Sequence, residues 1–310
     1  MSRAILRLAL ACLCWTHGPH AAAKPTAVEG PQAPAPADQM PSWRTLRVTV
    51  APVTAEELSV REALLPPGTV PRAGVASPTR SPWVNANGWR FLRKPAGRFV
   101  YDVPAGKGAL AAAEAAAYGA DAILKIVPED VPAVTQMITF LRQVPDADLP
   151  GLADFGVVDD GSPELGEVLN LLVRRNLLFE RVSSPSSRYG LNVKLGTPEY
   201  PREKAADPSA FALAVRRHLT DDKRSLRIFG SEVIIARATA DGGRARLHFV
   251  NYGGRPIDGL RVRLRGSYQT VRAYVAGAAA DAAVADHIVA DGATEFSMPR
   301  ITVYAVADLR

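Results

Sequence analysis

Cysteine is nearly absent from this chain: two in 310 residues, Cys12 and Cys14. Both sit in a leader-like stretch, so the chain left after its removal has no disulfide, no thiolate nucleophile and no thiolate metal site. Histidine offers no metal set either. His17 and His20 fall in the same leader, and His218, His248 and His287 are far apart, without short ligand spacing. A Gly-x-Ser-x-Gly elbow is missing after the leader, which removes the usual serine-hydrolase signature. Long apolar runs are missing too. The run Leu8 to Trp15 is well short of the ~20 residues needed to span a bilayer, and nothing later is longer, so no membrane span is expected.

What is present at the start is Arg3 and Arg7, that short apolar run, and then Ala21-Ala22-Ala23. This is the form of a secretory signal, residues 1–23, cleaved after Ala23, which makes the protein secreted or periplasmic. Ala9-Leu10-Ala11 matches a lipobox poorly, so lipid anchoring through Cys12 is the weaker alternative. The formal charge of +6, less the two positive charges of Arg3 and Arg7, leaves +4. That balance is mildly basic and is not the composition of a nucleic-acid binder.

Residues 24–41 are rich in proline and alanine and read as an extended linker. An α/β region over residues 42–225 follows. Its expected strands lie at 45–53, 99–103, 122–127, 152–158 and 177–182. Its expected helices lie at 109–118, 131–143, 163–175 and 208–219, with a short one opening at Thr54. Strands separated by helices of this length imply parallel β-α-β units. Residues 66–82, broken by prolines and glycine, read as a long irregular connection. From residue 226 to 310 the pattern becomes short strands with turns, at 231–239, 244–251, 260–265, 271–275, 294–297 and 301–309. Arg261-Val-Arg-Leu-Arg265 alternates charge outward and aliphatic inward, as in a strand with one wet face. The expected fold class is therefore α/β followed by all-β: a flavodoxin-like or partial-barrel domain and then an antiparallel β-sandwich.

Three stretches carry chemistry. Asp159 and Asp160 stand where a parallel strand ends and a helix begins, the edge at which open α/β sheets bind ligands. Ser162, Pro163 and Glu164 form an N-cap, first-turn proline and dipole-complementing acid, so the same residues also read as an ordinary junction. Ser81-Pro-Trp83-Val-Asn85-Ala-Asn87-Gly-Trp89-Arg90 combines indole faces with amide and guanidinium donors, a set suited to sugars or to pinning a loop on a core. Tyr101 and Asp102 end a strand that faces the same cleft if the loop is a binding loop. Gly106-Lys-Gly108 lacks the full P-loop, with Gly108 where the hydroxyl belongs, so no nucleotide and no other cofactor is expected. Arg244, Arg246, Arg261, Arg263 and Arg265 would form a basic stripe, either solvated or open to acidic glycans or lipid head groups.

Glu114-Ala-Ala-Ala-Tyr-Gly-Ala-Asp-Ala-Ile-Leu-Lys-Ile126 resembles the late helix-to-strand passage of β-galactosidase-type glycoside hydrolase barrels. The passage Phe155 to Val182 resembles the flavodoxin-like, glutamine-amidotransferase-like domain that follows such barrels. Leu247 to Tyr252, Leu260 to Leu264 and Val303 to Leu309 resemble their closing β-sandwich. The order of parts is also similar to secreted bacterial proteins of unknown function. The resemblance implies carbohydrate as the ligand. Yet the chain is too short for a barrel of roughly 250 residues plus both later domains. The two strand-end glutamates of such enzymes have no counterpart, and no cysteine nucleophile remains. The sequence thus points to a non-catalytic carbohydrate-binding or assembly role. The binding residues would be Trp83, Asn85, Asn87, Trp89, Arg90, Tyr101, Asp159 and Asp160. Two other readings stay open: a glycosidase using Asp102, Asp159 or Asp160, and a structural partner that oligomerises without a small ligand.

Overall fold

Helix α3 (Gly108–Tyr118) shows how the sequence builds the centre of the molecule. Ala111, Ala112, Ala113, Ala115 and Ala117 are all fully buried, so neighbours pack against every side of a thin cylinder. Gly119 ends it in the left-handed conformation at φ 63°, returning its N–H to Ala115 and Ala116 carbonyls. At its other end the buried carboxylate of Asp130 accepts from the N–H groups of Gly106 (2.7 Å) and Gly108 (2.9 Å). The glycine-rich turn that invites a phosphate reading is therefore filled by the chain's own carboxylate.

The computed structural model describes residues 46–70, 83–278 and 282–310. The expected signal at 1–23, the linker at 24–41, the two early cysteines and the stretch 71–82 lie outside them. The described residues fall in one compact unit.

Strand β1 (Leu46–Thr49) leads to α1 (Ala55–Ser59), capped by the Thr54 hydroxyl, and β2 (Glu62–Leu64) follows. Next come the paired strands β3 (Gly68–Val70) and β4 (Trp83–Asn85), α2 (Gly88–Arg93) and β5 (Arg98–Asp102). After α3 come β6 (Asp121–Lys125) and α4 (Val131–Gln143). Strands β1, β6, β5 and β2 lie in that order in one parallel sheet.

A second parallel sheet has the order β8-β7-β9, made of β7 (Phe155–Val158), β8 (Phe179–Val182) and β9 (Asn192–Val193). Helices α5 (Pro163–Arg174) and α6 (Pro208–Leu219) pack beside one another. The sequence pattern implied one run of parallel units, and the structure divides it into two sheets. The expected strand at 152–158 is also shortened at its start, to Phe155–Val158. Gly151 bridges Thr239, and Leu152 donates to the Ala238 carbonyl, so this preceding stretch joins the following β-layer.

That layer has two antiparallel sheets. One runs β10-β13-β16-β15 through Leu226–Phe229, Arg261–Arg265, Ala293–Ser297 and Ala285–Ala290. The other runs β11-β12-β17-β14 through Ile234–Ala240, Ala245–Asn251, Tyr304–Leu309 and Val271–Val275. In β13, Val262 and Leu264 point inward while Arg261 and Arg265 are exposed, as the alternation implied.

The β11-β12-β17-β14 sheet is apolar on both faces. Ala236, Leu247, Phe249, Ala305 and Ala307 join the core between the two antiparallel sheets. Ile235, Val250, Tyr304 and Val306 join the core that also holds α3, β5, β6, α5 and α6. The second core thus runs unbroken from the parallel sheets into the β-layer.

Close packing around α2 gives a test. A Cβ on Gly88 would fall on the Tyr118 ring, so Gly88→Ala must displace a partly buried ring. We expect it to lower stability by about 1–3 kcal/mol in urea unfolding. A variant as stable as the parent would show that α2 and α3 do not meet this closely.

Candidate functional site

The acidic junction after β7 forms as its capping residues imply. The Ser162 hydroxyl accepts from Leu165 N–H and Pro163 opens α5, so the chain turns sharply through Gly161 at φ 75°. Asp159 folds inward, its side chain only 6% exposed, and the Arg93 guanidinium of α2 grips it with bonds of 2.9 and 3.2 Å. Arg181 stands 3.7 Å away, and the Gly161 N–H also donates to it. Asp160 points elsewhere. It accepts from the N–H and hydroxyl of Ser162 and pairs with Arg202. Burial opposes its ionisation, but these bonds win and hold the carboxyl down at about 2. Both carboxylates are thus committed to partners within the chain.

Asp102 lies on the other parallel sheet, at the end of β5, where it is exposed and pairs with Lys125 at 3.1 Å. It does not join Asp159 and Asp160 in a common sheet. The stretch Trp83 to Arg90, read from sequence as a loop, is corrected: it forms strand β4 and the start of helix α2. Pairing of Val84 and Trp83 with β3 and the helical hydrogen bonds from Asn87 onward account for the difference.

Its polar groups face inward. Asn85 donates to the Pro66 carbonyl (3.1 Å) and Asn87 to the Leu65 carbonyl (2.8 Å). Both indoles are partly buried and each carries a guanidinium: Arg174 lies 4.5 Å from the Trp83 ring and Arg90 4.2 Å from that of Trp89. Trp89 also packs on Gly166 of α5. Tyr101 is fully buried and faces no surface cleft, because its hydroxyl donates to Glu114.

Glu114, in the middle of the alanine-rich helix, is the residue that sequence reasoning missed. Its carboxyl is fully buried and accepts from four donors: the Tyr101 hydroxyl, the Tyr252 hydroxyl (2.6 Å), and the Asn87 N–H (2.7 Å) and amide (3.0 Å). Burial raises its pKa, and the hydrogen bonds from the two tyrosines and Asn87 oppose that rise. The only hint in the sequence is a lone acid among the seven alanines of one helix.

The basic stripe is largely matched by acids. Arg246 pairs with Asp308, Arg244 with Asp241, and Arg261 and Arg263 with Glu295. Among the described residues no group of three His, Cys, Asp or Glu side chains is placed to hold a metal ion.

One cleft has the dimensions of a ligand site. It measures about 390 Å³ and opens between the end of α2, Tyr118, the 150–153 stretch, β8 and β11. Tyr118, Phe179 and Leu152 supply apolar wall, while Glu180, Arg181, Arg188 and Arg237 supply charge.

No protein-family model matches the sequence, and no curated protein matches it. Solved structures do. Alpha-L-fucosidase isoenzyme 2 from Paenibacillus thiaminolyticus aligns at TM-score 0.54 and 9% identity, over 72% of this chain and 62% of that one. The beta-galactosidase from Bacillus circulans sp. alkalophilus aligns at TM-score 0.41 and 10% identity, over 65% and 51% of the two chains. A GH42 beta-galactosidase from G. stearothermophilus gives 0.36 and 10%, over 80% and 53%. The fold is glycoside-hydrolase-like. The chain spans about six-tenths of the fucosidase chain it resembles.

Two outcomes test the junction. Asp159→Asn leaves the Arg93 guanidinium, 14% exposed, without its counter-charge. We expect a loss of about 3 kcal/mol in equilibrium unfolding; a near-neutral variant would show that the pair is not held in solution. For Asp160 the folded pKa lies below the ordinary 3.8, so its stabilisation is present above that value and fades as pH falls through about 2. The stability gap between the parent and Asp160→Asn should be full at pH 6 and close near pH 2. A gap independent of pH would contradict the assignment.

Proposed function

We propose that this chain is a secreted or periplasmic, non-catalytic carbohydrate-binding protein on a glycoside-hydrolase-like fold. The observation that carries the reading is the commitment of its strand-end carboxylates: Asp102 to Lys125, Asp159 to Arg93, and Asp160 to Arg202 and Ser162. Glycoside hydrolysis asks for two carboxyl groups facing one bond, one of them holding its proton near neutral pH. Asp160 is pushed the opposite way, and Asp159 is closed under an arginine. Sugar-sized concave space remains in the cleft beside Tyr118, so that cleft, rather than the segment from Trp83 to Arg90, is the proposed ligand site. The two indoles already carry arginines on their faces, which a sugar ring would have to displace.

A glycan array probed with the full chain, alongside an aryl-glycoside panel, tests this. We expect saccharide binding and no turnover above blank. Turnover that disappears in Asp160→Asn would replace the binding reading with a glycosidase.

A further inference from the structure

The cleft beside Tyr118 does not stand alone. A second cleft of about 380 Å³ is lined by Tyr189, His218, Lys223, Ser225 and Arg265, and both are lined by Ala153 and Arg188. The two adjoin at these residues, as the two halves of a trough with Ala153 and Arg188 between them. Along it stand Arg181, Arg188, Arg237, Lys223 and Arg265, with Glu180 and Asp154 as the acids. Both acids have internal work. Glu180 accepts from Arg188 (2.9 Å) and the Tyr189 hydroxyl, and both oxygens of Asp154 accept from Ser225 N–H at 3.0 and 3.1 Å.

Arg237 is the informative member. It sits on β11, partly buried, and its Nη1 donates to the Ala117 carbonyl (2.7 Å) in the last turn of α3. Its guanidinium lies 5.6 Å from the Tyr118 ring, and no carboxylate among the described residues pairs with it. The cross-strand neighbour is His248, which burial, then Arg237 and Arg246, hold neutral. A guanidinium placed this way has paid part of its desolvation without a counter-ion, and a planar carboxylate is the anion whose geometry it matches.

We propose that the trough binds an acidic saccharide, a uronate-containing oligosaccharide, with Arg237 receiving a sugar carboxylate and Arg188 and Lys223 serving the adjoining unit. The assignment rests on the carbohydrate reading above and names its ligand class. Apolar walls at Leu152, Phe179 and Tyr118 favour a sugar ring over bare phosphate. The mild excess of positive charge, +6 in all, is far from that of a nucleic-acid binder.

Isothermal titration of the full chain at physiological salt with trigalacturonate, maltotriose and a short oligothymidylate tests it, with Arg237→Gln, Arg188→Gln and Lys223→Gln as variants. Arg188, 66% exposed, can be replaced without disturbing the fold. The expected result is binding of trigalacturonate alone, weakened about tenfold or more by Arg237→Gln and by Arg188→Gln. Maltotriose bound as tightly as trigalacturonate overturns the acidic assignment and leaves the carbohydrate reading intact. No binding of either saccharide overturns both. Oligothymidylate bound as tightly as trigalacturonate shows a general polyanion surface instead and also overturns the assignment. Trigalacturonate binding unchanged in Arg188→Gln and Arg237→Gln places the ligand elsewhere and removes the site.

Discussion

A single buried carboxyl sets the terms for the rest of this molecule. Glu114 has no access to water, so each of its lone-pair sites must be met from within the protein. The four donors come from three places: the backbone and the side chain at Asn87, strand β5 through Tyr101, and the residue just past β12, Tyr252. Tyr252 in turn receives the N–H and hydroxyl of Thr69 on its carbonyl, which ties β3 to the same point. Four elements distant in sequence are thereby required to be present together. A carboxyl stranded in that place would cost several kcal/mol, so the contacts form as a set or not at all.

The alanines of α3 make that arrangement possible. Their small side chains let β12 and α4 approach the helix closely enough for Tyr252 to reach across. The consequence is a β-sheet apolar on both faces, rather than one wet and one dry. Antiparallel sheets commonly keep one face solvated, so burial of both marks this sheet as the shared wall of two layers. The proposed ligand site lies against the same wall. Arg237 rises from its parallel-sheet face beside Tyr118, at the rim where the layers part to leave the cleft.

Much of this was legible in the residues. Helices α3 to α6 announce themselves by periodicity and caps, Ser162 and Gly119 in particular, whereas the six-residue α2 has no side-chain cap and was read as a loop. The strands β11 to β14, β16 and β17 follow from alternation and turns. Strands β2, β3, β4 and β9 were not legible, since two or three residues carry no period. The exposed edge strand β15 lacks an apolar face to reveal it. Charge partners were the larger blind spot. Asp159 and Arg93 are 66 residues apart, Asp160 and Arg202 are 42 apart, and Glu114 and Tyr252 are 138 apart. A sequence shows the acids and hides which base will neutralise them, so a structural pair and a catalytic pair look alike until the chain is folded.

The central claim is that Glu114 couples the parallel-sheet layers to the sandwich. A double-mutant cycle of Glu114→Gln with Tyr252→Phe, followed by equilibrium unfolding, measures it most directly. The account predicts a coupling energy of about 0.5–3 kcal/mol within a single cooperative transition. Additive effects, or two separable transitions, would contradict it.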